Sequence, residues 1–248
     1  MITIVTPVLN GAKYISKNIE SISKLSIPYE HIIVDGGSND GTLEIIKKHP
    51  NIILLTQSVM NGMYGAIHQG FEQAKGDFIS WVNADDEIIA SGYEMMYNEA
   101  HDKKADFVYS HGILHFIEEY KYKTRFARYF TRYLLKAGVV PFVQPSVMYS
   151  KQAYFDIGGL NYEKFRLIGD RDLFQRMAHN EAISFLFVPV FSSIFLRYED
   201  SLLYRNLEQR KLEYKYCISS DVKWHHRAIF HLSQPLRSLV WKIKIIKK

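Results

Sequence analysis

Two adjacent carboxylates directly follow an apolar run in the segment ISWVNADDEI, residues 79–88. Asp85 and Asp86 are like charges, which disfavour each other's ionised form at such short range. Three kinds of site fit the pattern: a divalent-cation site, an acid/base pair, or a turn in which the carboxylates cap the next helix. Mg²⁺ and Mn²⁺ prefer such oxygen ligands and share their shell with phosphates. The pair alone leaves the cation site and the capped turn both open.

A second polar cluster is VDGGSNDGT, residues 34–42. Its paired glycines allow a ligand to approach the backbone closely, and Asp35 can accept hydrogen bonds from a base N–H or a ribose hydroxyl. The segment lacks the GxGxxG and GxxxxGK patterns of dinucleotide and P-loop sites. An ordinary strand-to-helix turn remains the alternative.

Alternating strands and helices are predicted to hold these clusters. The β-branched runs in ITIVTPV, EHIIVDGG, NIILLTQ and FISWV predict strands, and the segments between them have helical spacing. This order predicts an α/β fold with a mainly parallel central sheet flanked by helices. Ligands of such sheets bind beyond the carboxyl ends of the strands. TPVLN, DGGSND and NADD all follow strands, so we expect them to converge on one cleft.

The pattern is less regular after about residue 90. Further elements are predicted as helices at 92–104 and 171–180, strands at 105–116 and 185–198, and mostly helix over 201–248. A boundary near residue 200 divides the chain into an α/β domain, 1–200, and a basic helical C-terminal extension, 201–248.

Composition limits the class of protein. With 248 residues, 47% of them hydrophobic, the chain can bury a sizeable core. The single cysteine, Cys217, excludes a disulfide framework within the chain. MITIVTPVLN lacks the features of a signal peptide, and no run of about 18 apolar residues occurs, so we expect a cytoplasmic protein.

One basic aromatic segment needs a separate explanation. KYKTRFARYFTRYLLK, residues 121–136, has six basic residues and no acid. As a helix it would separate its arginines from its aromatic side chains, as in a helix at the inner membrane surface, and LVWKIKIIKK at 239–248 repeats that chemistry. The alternative is a helix whose aromatics pack on the domain. We expect no nucleic-acid partner, because the basic stretches are localised and no nucleic-acid module accompanies them.

Five segments in this order resemble the family-two glycosyltransferases of the GT-A fold, especially those that build bacterial surface polysaccharides such as lipopolysaccharide: TPVLN, VDGGSNDGT, NGMYGAIHQGF, KGDFISWVNADDE and GDRDLFQRM. The resemblance covers roughly residues 1–200. It implies inverting transfer of a sugar from a nucleotide-diphosphate donor, with UDP-sugars favoured, to a hydroxyl of a glycan or lipid-linked glycan acceptor. It also implies donor-binding residues and metal ligands for Mn²⁺ or Mg²⁺: Thr6, Pro7, Val8, Asp35 and Asp85 for the donor, and Asp85 and Asp86 for the metal.

The resemblance further implies a catalytic base in IGDRDLFQRM. Asp170 would take the proton from the acceptor hydroxyl, and the alternative is a helix N-cap. Gln144 and Ser146 fall in a stretch implied to run along the acceptor, with a core-lining strand as the alternative.

Several positions depart from the family pattern. Met60, Gly65 and His68 stand where Asp, Asp and Asn are usual, Asn83 replaces the first acid of the DADD element, and Gly169 replaces Glu. Two other functions remain open. One is a nucleotidyltransferase of related fold, and the other is a non-catalytic scaffold that docks on membranes.

Overall fold

The computed structural model describes residues 1–59, 61–199, 201 and 206–219. The strands in these ranges are β1 (Ile2–Val8), β2 (Tyr29–Asp35), β3 (Ile52–Thr56), β4 (Phe78–Trp81), β5 (Glu87–Ile88), β6 (Phe107–Phe116), β7 (Lys121–Arg125), β8 (Val147–Ser150) and β9 (Phe185–Arg197). The helices are α1 (Ile15–Ser23), α2 (Thr42–Ile46), α3 (Gly62–Gln73), α4 (Ala90–Lys103), α5 (Thr131–Lys136), α6 (Lys151–Asp156), α7 (Gly169–His179) and α8 (Leu207–Ser219). The strands form one sheet in the order β3-β2-β1-β4-β8-β6-β9-β5, with β7 paired to β6.

The first half of the sheet is the parallel α/β unit predicted from the sequence. β3, β2, β1 and β4 are neighbours, and all three pairings are parallel. Every residue of β1 is buried, as expected for a central strand with helices on both faces. The parallel register places the carboxyl ends of these strands at one edge of the sheet.

The second half is mixed. β8 joins β4 and β6 in antiparallel fashion, while β6 and β9 run parallel over their length. β9 pairs with the short β5, which directly follows the NADD segment. This pairing places the C-terminal part of β9 next to the loop that carries Asp85 and Asp86.

The prediction of one amphipathic helix over 121–136 is wrong. Lys121–Arg125 is an antiparallel strand on β6, and the helix α5 begins only at Thr131. The alternation of Lys and Tyr at the start of β7 suits an edge strand. Arg132 has a structural role, since it donates hydrogen bonds to the carbonyls of Ala178, Asn180 and Ile183 at the end of α7.

An aromatic core fixes α7 against the sheet. Phe174 of α7 stacks on Trp81 at the end of β4 with ring centroids 6.1 Å apart, and contacts Phe107 of β6 edge to face at 5.6 Å. All three side chains are at most 1% exposed. Because Trp81 lies four residues before Asp85, this packing sets α7 beside the NADD loop.

Within the segment predicted to be mostly helical, 201–248, the residues Leu207–Ser219 form the helix α8. The basic segment 239–248 lies outside the described residues, and the boundary at residue 200 stays a prediction. Within the described ranges, no helix combines the length and apolar character needed to cross a bilayer.

Candidate active site

The loops after β1 and β2 are joined by hydrogen bonds at the carboxyl edge of the sheet. The backbone N–H of Asn10 donates to Ser38 Oγ at 2.8 Å, and that of Ala12 to an Asp40 carboxylate oxygen at 3.0 Å. Gly11 N–H donates to Thr42 Oγ1 at 2.9 Å. TPVLN and DGGSND therefore converge, as the sequence predicted.

Asp35 ends β2 and organises its own turn. Its carboxylate accepts the backbone N–H groups of Gly37 at 2.9 Å and Ser38 at 3.0 Å, and the residue is 4% exposed. These contacts agree with the turn that was the alternative interpretation. Contact with a base or ribose stays a prediction.

The side chain of Thr6 lies inside the protein. Its hydroxyl donates to Asn18 Oδ1 at 3.3 Å and contacts His31 Nε2 at 3.0 Å. Pro7 and Val8 are buried as well, at the end of β1. The Thr6 hydroxyl could bind a nucleotide-sugar donor only by breaking its contact with His31. Pro7 and Val8, at the end of the strand, are therefore the better candidates for a contact with that donor.

The buried His31 is expected to make the stability of the fold sensitive to acid. Burial, with a smaller contribution from His49, lowers the pKa of His31 from 6.5 to about 3. A neutral His31 therefore stabilises the fold above pH 6.5, and that free energy is lost as pH falls toward 3, by about 1.4 kcal/mol per pH unit. Between pH 6.5 and 5.0, urea titrations are expected to show a loss of unfolding free energy that is about 2 kcal/mol larger in wild type than in His31→Gln. The exposed His101→Gln variant is the control, and equal losses in all three proteins would contradict the prediction.

Asn18 holds the NADD loop from α1. This fully buried amide donates to the backbone carbonyls of Asn83 and Asp86, each at 3.0 Å. Asp86 points inward: it accepts the backbone N–H of Leu196 at 2.9 Å and the Asn83 amide at 3.3 Å. Burial, and then the negative charge of Asp85, raises the pKa of Asp86 well above its usual range.

Asp85 is the more accessible carboxylate of the pair. It is half-buried, whereas Asp86 is 1% exposed. The phenol of Tyr198, just after β9, donates to Asp85 Oδ2 at 2.9 Å, and the ring of Tyr14 lies 5.4 Å from that of Tyr198. Burial raises the pKa of Asp85, although the Tyr198 hydrogen bond lowers it. Neither carboxylate caps α4, because Ile89 is its N-cap.

The oxygen atoms available at this loop suit a hard divalent cation. Asp85 supplies a carboxylate, and the neighbouring Asn83 Oδ1 is buried with no hydrogen-bond partner. Among the described residues, no three His, Cys, Asp or Glu side chains gather into a complete metal site. Mg²⁺ in phosphate-transfer sites is commonly held by one or two carboxylates plus substrate phosphates, so an incomplete protein shell is the expected form.

Asp170 lies in the first turn of α7. Tyr64 donates its hydroxyl to Asp170 Oδ1 at 3.0 Å. Burial raises the pKa of Asp170, and the backbone N–H and charge of Arg171 partly offset this rise. The alternative that Asp170 is the N-cap is wrong in its strict form, since Ile168 occupies that position. A carboxylate with a raised pKa is suited to accept a proton.

Two contacts bring Asp170 to the same edge of the sheet as Asp85. Tyr64 belongs to the first turn of α3, and helices that follow parallel strands begin at the carboxyl edge. One turn beyond Asp170, Phe174 stacks on Trp81 at the end of β4. Asp85 and Asp170 therefore lie at the same edge of the sheet.

The two predicted acceptor-side residues differ in position. Gln144 donates its amide to the Trp81 carbonyl at 2.9 Å, and its Oε1 is buried without a partner, beside the end of β4. Ser146 is fully buried, with its hydroxyl bonded to the His111 carbonyl and to Ser193 Oγ. The core-lining alternative therefore describes Ser146, and only Gln144 remains next to the cleft.

Sequence reasoning missed three site residues: Asn18, Tyr64 and Tyr198. A signal existed for Asn18, because an amide interrupts the apolar face of α1 formed by residues such as Ile15 and Ile22. Tyr64 falls in the NGMYGAIHQGF motif. No local pattern marks Tyr198, because its partner Asp85 is 113 residues away.

The departures at Gly169 and His68 have local physical causes. A Cβ at position 169 would lie 2.9 Å from the Tyr64 ring, so the close approach of α7 to α3 favours glycine. His68 contacts the Tyr154 hydroxyl at 2.9 Å and packs against the Tyr162 ring. Met60 lies outside the described residues.

Solved structures share this fold. Staphylococcus aureus TarS, residues 1–349, in complex with UDP aligns with a TM-score of 0.66 and 16% identity, over 98% of this chain and 75% of that chain. The mannosyltransferase PcManGT from Pyrobaculum calidifontis, in complex with GDP-Man and Mn²⁺, gives 0.65 and 15% over 96% and 72%. At these identities the likeness shows the fold alone, and it confirms the predicted GT-A architecture.

Curated relatives match a shorter segment. The poly(ribitol-phosphate) beta-glucosyltransferase of Bacillus spizizenii is 33% identical over 113 residues, which cover 42% of this chain and 18% of the relative. Glycosyltransferase GlyG of Streptococcus pneumoniae is 32% identical over 113 residues, covering 44% and 38%. The matched segment is less than half the length of either relative.

The model of the family named glycosyl transferase family 2 matches residues 3–158, more than half of the chain. The chain therefore belongs to glycosyl transferase family 2.

Proposed function

We propose that the protein transfers a sugar from a nucleoside-diphosphate donor, a UDP-sugar in the first instance, to a hydroxyl of a surface-glycan acceptor with inversion at the anomeric carbon. The observation that carries this proposal is that two carboxylates, Asp85 and Asp170, both lie at the carboxyl edge of the sheet. Family membership supports the reaction class.

Asp170 is the proposed general base. Its raised pKa favours uptake of a proton, and the hydrogen bond from Tyr64 holds one carboxylate oxygen in place, so the proposed acceptor of the hydroxyl proton is the other oxygen. The oxygen then attacks the anomeric carbon as the bond to the diphosphate breaks, which inverts the configuration in a single displacement.

The opposite wall of the cleft binds the donor. Asp35, Pro7 and Val8 are the proposed contacts to base and ribose, at the convergent ends of β1 and β2. Asp85, with Asn83 beside it, would hold Mn²⁺ or Mg²⁺, which when bound offsets the charge of the leaving diphosphate. Asp86 accepts the backbone N–H of Leu196 in the interior, so we propose that it holds this loop in place while Asp85 faces the cation.

A thermal-shift panel tests the donor class. UDP, GDP, dTDP and CDP are each added with and without Mn²⁺. We expect one nucleotide, UDP, to raise the Tm in a metal-dependent way, because ligands that bind only the folded state stabilise it. A response to nucleoside triphosphates alone would instead favour the nucleotidyltransferase, and no response to any nucleotide would favour the scaffold.

The acceptor is proposed to be lipid-linked because an aromatic patch is exposed on the loop that precedes α5 and on α5 itself. Tyr129 is 81% exposed, Phe130 57% and Tyr133 43%, with the exposed Arg128 next to them. Aromatic rings with an adjacent cation suit the headgroup region of an anionic membrane. The proposed location is accordingly the inner face of the cell membrane.

Vesicle sedimentation tests this surface. Vesicles with about one third phosphatidylglycerol are expected to bind the protein, and the double variant Tyr129→Ser, Phe130→Ser is expected to bind several-fold less. Met95→Ser, which removes an exposed apolar side chain on α4, is the control. Equal binding of all three proteins would remove the patch from the membrane contact.

A further inference from the structure

A single carboxylate from α8 binds the segment that leads into α7. Glu213 is 6% exposed. Its Oε2 accepts the backbone N–H groups of Leu167 at 2.9 Å and Ile168 at 3.3 Å, and its Oε1 accepts that of Arg166 at 3.2 Å. Backbone N–H groups at a helix start have no partner within the helix, and this long-range carboxylate satisfies the one at Ile168 together with the two before it. Ile168, the N-cap, has no side chain that could do so.

A second contact from the same helix reaches the residue next to the base. The guanidinium of Arg171 lies over the ring of Tyr214, 4.1 Å from its centroid, and Arg171 is 4% exposed. Tyr214 also packs against Phe165, Leu167 and Ile168. Since Arg171 directly follows Asp170, its charge favours the ionised form of that carboxyl and lowers its pKa.

These contacts go beyond attachment of a C-terminal helix. Both Glu213 and Tyr214 act within five residues of Asp170, one on the backbone before it and one on the cation after it. Tyr64 of α3 binds Asp170 directly, through a hydrogen bond of 3.0 Å. Asp170 is therefore oriented from two elements, α3 and α8, that are far apart in the sequence.

We infer that α8 is a positioning element of the active site, in which Glu213 fixes the backbone entering α7 and Tyr214 fixes Arg171, so that Asp170 meets the acceptor hydroxyl. This inference rests on the proposed function of Asp170 as the base. Glu213 and Tyr214 touch no reacting atom and act only through the segment 166–171. Helix α8 then belongs to the catalytic unit.

The test compares Glu213→Gln with Glu208→Gln in the full chain. Glu208 is an exposed acid on the same helix, paired with Lys211. In Glu213→Gln the side-chain NH₂ faces a backbone donor, so we expect kcat to fall between about 10-fold and about 100-fold, the range in which a small misplacement of a reacting group acts. The KM for the donor and the Tm shift with UDP and Mn²⁺ should stay within two-fold of wild type. Glu208→Gln should match wild type throughout.

Tyr214→Leu supplies an independent readout. Leucine keeps apolar packing on Phe165 but removes the ring beneath Arg171, so the acidic limb of the kcat profile is expected to move to higher pH as the pKa of Asp170 rises. Hydrogen exchange of the amides at 166–168 should quicken in Glu213→Gln only.

The outcomes separate the two proposals. If Asp170→Asn is inactive while Glu213→Gln retains wild-type kcat, and Tyr214→Leu leaves the pH profile unchanged, the positioning role of α8 is overturned and the base stands. If Asp170→Asn is fully active, the proposed base fails, and α8 loses its function with it. A loss of nucleotide-induced stabilisation equal to the loss of kcat would show a merely structural role for Glu213 and would also overturn the inference.

Discussion

Replacing Asp170 by asparagine is expected to lower turnover by about 10²- to 10⁴-fold, the range typical for the loss of a general base. Asparagine is isosteric and can still accept the Tyr64 hydrogen bond through its amide oxygen, so α7 and the cleft should keep their structure. The amide cannot take a proton, which removes the step that activates the acceptor hydroxyl. Donor binding, measured by titration calorimetry, should be unchanged.

Asp172→Asn is the matched control for this variant. Asp172 lies two residues further along α7, where it pairs with Arg176 at 2.8 Å and accepts from Asn161. Its replacement removes a carboxylate from the same helix turn but leaves the cleft intact, so turnover should stay near wild type. Loss of donor binding in Asp170→Asn would reassign Asp170 to a structural role.

Replacing Asp85 by alanine is expected to abolish the metal dependence of donor binding. Asp85 is the accessible carboxylate of the NADD loop, whereas both oxygens of Asp86 are committed to Leu196 and Asn83. Without Asp85 the diphosphate loses its shared cation, and we expect UDP affinity in the presence of Mn²⁺ to fall at least about 10-fold, or about 1.4 kcal/mol. The measurement is a calorimetric titration of UDP with Mn²⁺ and with chelator.

The control for Asp85→Ala is Asp102→Ala, an exposed acid on α4. It changes the net charge by the same amount away from the cleft, and its UDP affinity should remain metal-dependent. If Asp85→Ala binds UDP as tightly as wild type and still requires Mn²⁺, Asp85 does not hold the cation.

The parallel half of the fold was predictable because each strand carries its own local signal. β1, β2 and β4 are short β-branched or aromatic runs that stop at turn-forming residues, so the positions of Val8, Asp35 and Asp85 at one edge follow from topology alone. The helix predicted at 171–180 is observed as α7, Gly169–His179. Such signals act over a few residues and need no tertiary context.

The structure of the second half could not be predicted from the sequence, because long-range contacts determine which segments form strands and which side chains are buried. The segment 121–125 satisfies a helical projection and a strand alternation equally well, and only its pairing with β6 selects the strand. Ser146 looks like a polar residue in a loop, yet its partner Ser193 on β9 holds it in the interior. Tyr198 and Glu213 come from distant segments, and nothing in their local sequence marks the carboxylate or backbone that they contact.

The most direct test of sugar transfer follows the donor itself by NMR. Purified wild-type protein is incubated with Mn²⁺, a panel of nucleotide sugars and a detergent-solubilised glycolipid fraction, and the anomeric signals are recorded over time. The proposed mechanism predicts that one nucleotide sugar, a UDP-sugar, is consumed with release of the nucleoside diphosphate and that the new glycosidic bond has the inverted configuration. In Asp170→Asn the donor should persist. Retention of configuration, or consumption of a nucleoside triphosphate with release of pyrophosphate while every nucleotide sugar persists, would contradict it.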